Sequence, residues 1–214
     1  MRRSIGRILL PAAAATLAVA FAASSAMATT ATLTVKVTSG GSYTATTTKT
    51  TLTDNGISVT CTASKASGSI PTKTYTNATS PVTVGTTAAL SFTNCTGPLG
   101  PVTVKVNKLP YKVQVDSKTN SKGQTDGIIS GVNDSVNAGA NCTFTVSGSA
   151  PGFYTNGKHT LSLTPTLPIT PLKTAQLTVS GVPTGGCLGA IHNGDHPTYT
   201  STYAVSRAIV IKSS

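Results

Sequence analysis

The chain has 214 residues, with 16 Lys and Arg against five Asp and no Glu, giving a formal net charge of +11. Charged residues make up 10% of it, far below the usual quarter. A glycosidase-type acid pair would have to be assembled from two of five scattered aspartates, and a single arginine beyond Arg7 with few aromatics argues against nucleic acid as a partner.

Arg2, Arg3 and Arg7 precede an apolar run from Ile8 to Ala23, and Ala26-Met27-Ala28 supplies small residues for cleavage. Residues 1–28 therefore read as a signal peptide, the apolar run being too short for a retained span. No apolar tail follows Ile211, so no transmembrane anchor is expected in the mature chain. Leu167-Pro168-Ile169-Thr170-Pro171 resembles a wall-sorting signal but lacks its final glycine and hydrophobic tail. The 186 residues that remain carry +8 once the three leader arginines are gone.

Threonine occurs 40 times, and its branched β carbon favours the pleated surface of a strand. In chain order, strand-like runs are expected at 31–38, 42–52, 57–62, 88–93, 102–106, 111–115, 142–146, 159–163, 175–179, 198–205 and 208–211. Asn55-Gly56, Asn156-Gly157 and Asn193-Gly194 suit type I′ hairpins, which need positive φ at both central positions. About a dozen short strands with such turns predict an all-β, antiparallel, immunoglobulin-like sandwich. One domain over 29–214 is expected. The alternative is two smaller domains, 29–116 and 125–214, with the polar stretch from Asp116 to Gly127 as linker.

Four cysteines after a leader predict two disulfides, with three pairings open. Each half of the chain holds two, which favours Cys61 with Cys95 and Cys142 with Cys187. Zinc is disfavoured because no Cys-x-x-Cys spacing occurs.

Gly185-Gly186-Cys187-Leu188-Gly189 fits a nucleophile elbow, but no helix follows and a free Cys187 would leave an odd cysteine. His192 and His196 flank Asp195, yet Asn193-Gly194 and Pro197 make the segment a turn in which the imidazoles need not converge. His159 follows another Asn-Gly turn. No catalytic, metal or cofactor site is therefore assigned, and the protein is expected not to be an enzyme. Lys105, Lys108, Lys112, Lys118 and Lys122 crowd one stretch opposed only by Asp116, a pattern that suits either a solvated strand edge or contact with polyanions. Tyr43, Tyr75, Tyr111, Tyr154, Tyr199 and Tyr203 are expected to pack in or beside the core.

Ser58-Val59-Thr60-Cys61, Phe92-Thr93-Asn94-Cys95-Thr96-Gly97-Pro98-Leu99-Gly100, Cys142 and the stretch Gly186-Cys187-Leu188-Gly189 through Gly194-Asp195 to Thr198-Tyr199 resemble a group of uncharacterised small exported proteins common in actinobacteria. The resemblance spans nearly all of the mature chain. It implies a secreted β fold and assigns no functional residue. The expected role is a secreted, non-enzymatic structural or interaction protein at the cell envelope, with anionic cell-wall polymers or an extracellular protein as partner. The alternative is a secreted binding protein or inhibitor whose loops, such as Gly185 to Pro197, meet a small molecule or protein; an apolar pocket with convergent polar groups would favour it.

Overall fold

In the computed structural model, which describes residues 32–139, 141–169 and 175–214, the chain is all-β, with every strand pairing antiparallel. The signal peptide expected over residues 1–28 lies outside the described residues, as does the Thr170-Pro171 end of the sorting-like sequence. Among the described residues no helix is long and apolar enough to cross a membrane.

A small sheet places β1 (Thr32–Thr38) between β5 (Lys73–Thr79) and β14 (Val210–Ser213). The other eleven strands form one sheet: β2 (Gly41–Thr47), β3 (Thr50–Asp54), β4 (Ile57–Ile70), β6 (Val82–Gly97), β7 (Gly100–Val106), β8 (Tyr111–Val115), β9 (Gln124–Asn137), β10 (Thr143–Thr155), β11 (Thr160–Leu163), β12 (Leu177–Ser180) and β13 (Thr198–Val205). Its ladders close on themselves. Hydrogen-bonded neighbours run β2, β4, β6, β8, β9, β10, β11, β13 and back to β2, through Ala204 opposite Thr46 and Val205 opposite Ala45. The all-β antiparallel expectation holds, and the sandwich-like walls are joined into an eight-stranded ring. A ring of eight strands encloses just enough room for side chains or for one small ligand.

The long strands make this closure feasible because glycines let them bend. At the register shift between Ser67 and Gly68 of β4, a Cβ on Gly68 would lie 2.0 Å from the Thr86 carbonyl oxygen. Gly148 does the same at the shift in β10, at φ 122°, where a Cβ would lie 2.4 Å from the Gln176 carbonyl oxygen. Such bulges increase local twist and turn the strand toward its partner.

Along each strand, apolar residues point in and threonines point out. In β2, Tyr43 and Ala45 are buried while Thr44 and Thr46 are exposed; in β1, Leu33, Val35 and Val37 are buried between Thr32, Thr34 and Lys36. The outer face carries Thr44, Thr46, Lys65, Lys105 and Lys112 where a membrane barrel would carry an apolar band. The small sheet packs Leu33, Val35, Val37 and Ile211 against Val82, Val84, Val115 and Tyr154, and so caps one end of the ring.

At the opposite end β3, β7 and β12 take over from β2, β8 and β11. There β12 pairs with β10 and β13 with β3, but β12 and β13 do not pair with each other. Residues 181–197 cross this seam. Gly194 N–H donates to the Val179 carbonyl and Val179 N–H to the Asp195 carbonyl, which covers the free edge of β12. Both disulfides lie at this end, with the pairing Cys61–Cys95 and Cys142–Cys187. The first bridges directly opposed residues of β4 and β6; the second ties the β9–β10 turn to the seam loop.

Several elements differ from expectation for local reasons. The run 42–52 is kinked at Thr47–Lys49, where the Thr47 hydroxyl bonds the backbone of Lys49, and both halves then follow the same edge of β4. Asn55-Gly56 forms the expected tight hairpin, with φ 43° and 82°. Asn156-Gly157 instead begins a four-residue turn closed by His159 at φ 50°, and Asn193-Gly194 lies in the seam loop. The polar stretch from Asp116 to Gly127 runs directly into β9, with Ser117, Thr125 and Asp126 buried and β9 laddered to β7, β8 and β10.

The disulfides close segments of 34 and 45 residues, so each is expected to contribute about 4 kcal/mol by restricting the unfolded chain. Replacing Cys142 and Cys187 by serine should lower the urea unfolding free energy by about that amount and speed amide exchange across 181–197. Replacing Cys61 and Cys95 should lower stability without that local effect, because the β4–β6 ladder still holds the strands.

Candidate functional site

Between the capped end and the disulfide end the ring encloses an apolar cavity of about 110 Å³. Alternation puts one side chain in two into this space, and many of these are small: Ala45, Ala66, Ala150, Val104, Val136 and Val146. The volume is comparable with an engineered apolar cavity of about 150 Å³ that accepts benzene. Among the described residues none that lines the lumen is Lys, Arg or His.

Three polar groupings face the lumen. Tyr199 and Tyr203 share a hydroxyl–hydroxyl bond of 2.8 Å, and Tyr203 bonds Ser64 at 2.9 Å. Tyr43 bonds Thr87 at 2.8 Å. On the opposite wall the Tyr111 hydroxyl donates to one carboxylate oxygen of Asp134. The second oxygen of Asp134 has no hydrogen-bond partner among the described residues. Burial pushes the Asp134 carboxyl up to about 6, opposed by the Tyr111 hydrogen bond, while burial and the neighbouring Asp134 push the Tyr111 phenol well above its ordinary value. At neutral pH the pair is therefore an ionised carboxylate held by a neutral phenol.

The sequence patterning did not single out Asp134. The signal was there: Val132, Asp134 and Val136 alternate, so the carboxylate shares the inward face of two valines. It was obscured because β9 was not among the expected strands. The tyrosines are where packing predicted, with Tyr43, Tyr111, Tyr154 and Tyr203 buried, but four of the six, Tyr43, Tyr111, Tyr199 and Tyr203, line the cavity.

A second cluster lies at the seam. Asp195 Oδ2 accepts from the Asn55 side chain at 3.0 Å and from the His192 backbone N–H at 2.7 Å, and lies 3.5 Å from His192 Nδ1. Asp54, from the β3–β4 hairpin, meets the same carboxylate. Burial and the Asp195 charge raise the Asp54 carboxyl, whereas the His192 N–H bond lowers that of Asp195. Two aspartates 141 positions apart in sequence are thus brought together, an arrangement no local spacing announced. Both histidines lie near this pair, each lowering the Asp54 carboxyl, but they are held differently: His192 is largely exposed, and His196 Nδ1 lies 3.0 Å from the Leu177 carbonyl oxygen on β12. Among the described residues no group of three or more His, Cys, Asp or Glu is arranged to hold a metal ion.

Cys187 is disulfide-bonded, and its glycine-flanked segment forms a 3-10 turn rather than an elbow. Leu188 stands 81% exposed at the tip in a left-handed conformation, φ 56°, which is not the extended form a protease cleft pairs with. Lys105, Lys108, Lys112, Lys118 and Lys122 are all exposed. Lys105 and Lys112 lie opposite Ser135 and Ser130 of β9, five residues or about 17 Å apart. They form a line along the wall and not a compact pocket.

Comparison with known proteins returns no match: no family model, curated protein or solved structure shows significant similarity to this chain.

Asp134 has a stability signature. A carboxyl whose folded pKa lies above its unfolded value binds protons more tightly when folded, so its ionisation lowers stability as pH rises through the window from about 4 to 6. The full effect is about 3 kcal/mol, of which about 1 kcal/mol is regained on going from pH 7.5 to pH 5. Asp134→Asn should therefore be more stable than the parent at pH 7.5, and the difference between the two urea-unfolding profiles should shrink on acidification.

Proposed function

We propose that the protein is an exported, non-enzymatic binding protein that encloses one small, mostly apolar molecule in the lumen of its ring. The observation that carries this reading is the cavity of about 110 Å³ lined by apolar side chains with a few convergent polar groups. Small-molecule sites have this composition: an apolar wall supplies affinity, and isolated polar atoms fix orientation. Export is supported by the leader-like residues 1–28 and by two disulfides, which persist in oxidising compartments. The seam between β12 and β13 offers a route in, because displacing residues 181–197 there breaks no ladder between those two strands.

Titration with a neutral one-ring probe, benzyl alcohol, tests the reading. Methyl resonances of Ala45, Val136 and Val146 should shift, and saturating probe should raise the melting temperature, by about 2.7 kcal/mol of stabilisation at a hundredfold excess over Kd. Ala150→Leu, which fills the lumen, should abolish both effects while the chain stays folded. Lumen methyls unmoved by this probe and by its amine and hydrocarbon analogues would remove the proposal.

The row of exposed lysines supports a second property, retention on anionic envelope polymers. Binding to purified cell walls should be strong at low salt and lost at high salt, and replacing the five lysines by glutamine should abolish it.

A further inference from the structure

We propose that the ligand of this lumen is a small apolar amine, whose ammonium group pairs with the open oxygen of Asp134 while its hydrocarbon body fills the cavity. The inference rests on the lumen being a binding site and names the chemistry it selects.

A carboxylate in an apolar enclosure is unfavourable unless it is paired, and a structural aspartate in such a place usually faces Lys, Arg or His. Asp134 faces none. Its neighbours are Tyr111 from β8, which donates to one oxygen, and Tyr203 from β13, whose hydroxyl is already engaged with Ser64 and Tyr199. Among the described residues no basic side chain lines the cavity from any strand. The wall therefore presents one acceptor with negative charge and one unfilled coordination direction. A ligand donor completes it, and a cationic donor also cancels the charge.

The rest of the lining favours the same class. Tyr111, Tyr199, Tyr203 and Phe92 bring aromatic rings to the lumen, and aromatic faces attract cations. An anionic ligand would be repelled by Asp134. A neutral hydrocarbon would fill the space but leave the carboxylate unpaired. The volume limits the amine to about the size of one ring with a short arm.

Three probes of nearly equal shape separate the possibilities: benzylamine, benzyl alcohol and toluene, titrated by calorimetry with the lumen methyl resonances as site readout. In the parent protein at pH 7.5, benzylamine should bind at least tenfold more tightly than toluene. At pH 5, where the amine is still cationic but Asp134 is mostly protonated, that advantage should fall about tenfold, with toluene unchanged. Asp134→Asn should remove the advantage at both pH values, whereas Asp195→Asn, at the seam, should leave it intact. Equal binding of the three probes, or an amine preference that survives Asp134→Asn, would overturn the amine assignment while leaving the lumen as a binding site. Failure of all three to shift the lumen methyls would overturn both. Should Asp134→Asn fail to fold, the pH profile of the parent protein decides the question alone.

Discussion

The ladder between β9 and β10 is the interaction on which the molecule depends. It engages every one of the 13 residues of β10 and joins the wall built from β4, β6 and β8 to the wall built from β11, β13 and β2. Without it the strands would present two long edges. With it they form a circuit that has an inside and an outside, and the alternation of each strand acquires a meaning. Threonine and lysine face water; valine, alanine and tyrosine face the lumen. The bulges at Gly68 and Gly148 belong to the same constraint, since unbent strands of this length would not close over so small a core.

Closure also explains how polar groups are distributed. The tyrosine hydroxyls inside the ring are satisfied by one another, by Ser64 and by Thr87, so their rings can be buried without orphaning a donor. Asp134, which also lines the lumen, is satisfied on one oxygen by Tyr111 and has no partner for the other among the described residues. A group that costs folding energy and faces a cavity is the kind of local conflict expected at functional sites. At the other end, the seam between β12 and β13 is held by loop contacts, by Cys142–Cys187 and by the Asn55–Asp195 bond in place of a ladder. The ring is thus least continuous beside the lumen's disulfide end.

Legibility from sequence followed the range of the interaction. Strands whose pattern is local were found: β1 from its Leu33, Val35, Val37 alternation, β8 and β13 nearly to the residue, and the β3–β4 hairpin from Asn55-Gly56. The disulfide pairing was legible because each half of the chain carries its own pair. β9 was not, because Gly127, Gly131, Asn133 and Asp134 are poor strand formers in isolation; pairing on both sides along its length overrides that propensity. The stretch from Asp116 to Gly127 read as a polar loop, or as a linker in the two-domain alternative, for the same reason, although Asp126 ends up fully buried. The meeting of Asp54 with Asp195 depends on where two turns fall in space and has no sequence signature.

Composition and cysteine count by themselves determined that this is a disulfide-stapled all-β protein, since threonine-rich alternation stabilises only a pleated, half-buried surface and four cysteines allow two bridges. Only the tertiary structure decided that the sheet closes, that Ala45, Ala66 and Ala150 come to lie around one cavity, and that Asp134 stands in it with no basic side chain among the described residues beside it. The physical reason is that alternation specifies which face a residue takes but not what that face meets. That is set by ladder registers spanning the whole chain, from Ala45 opposite Val205 to Asn137 opposite Thr143.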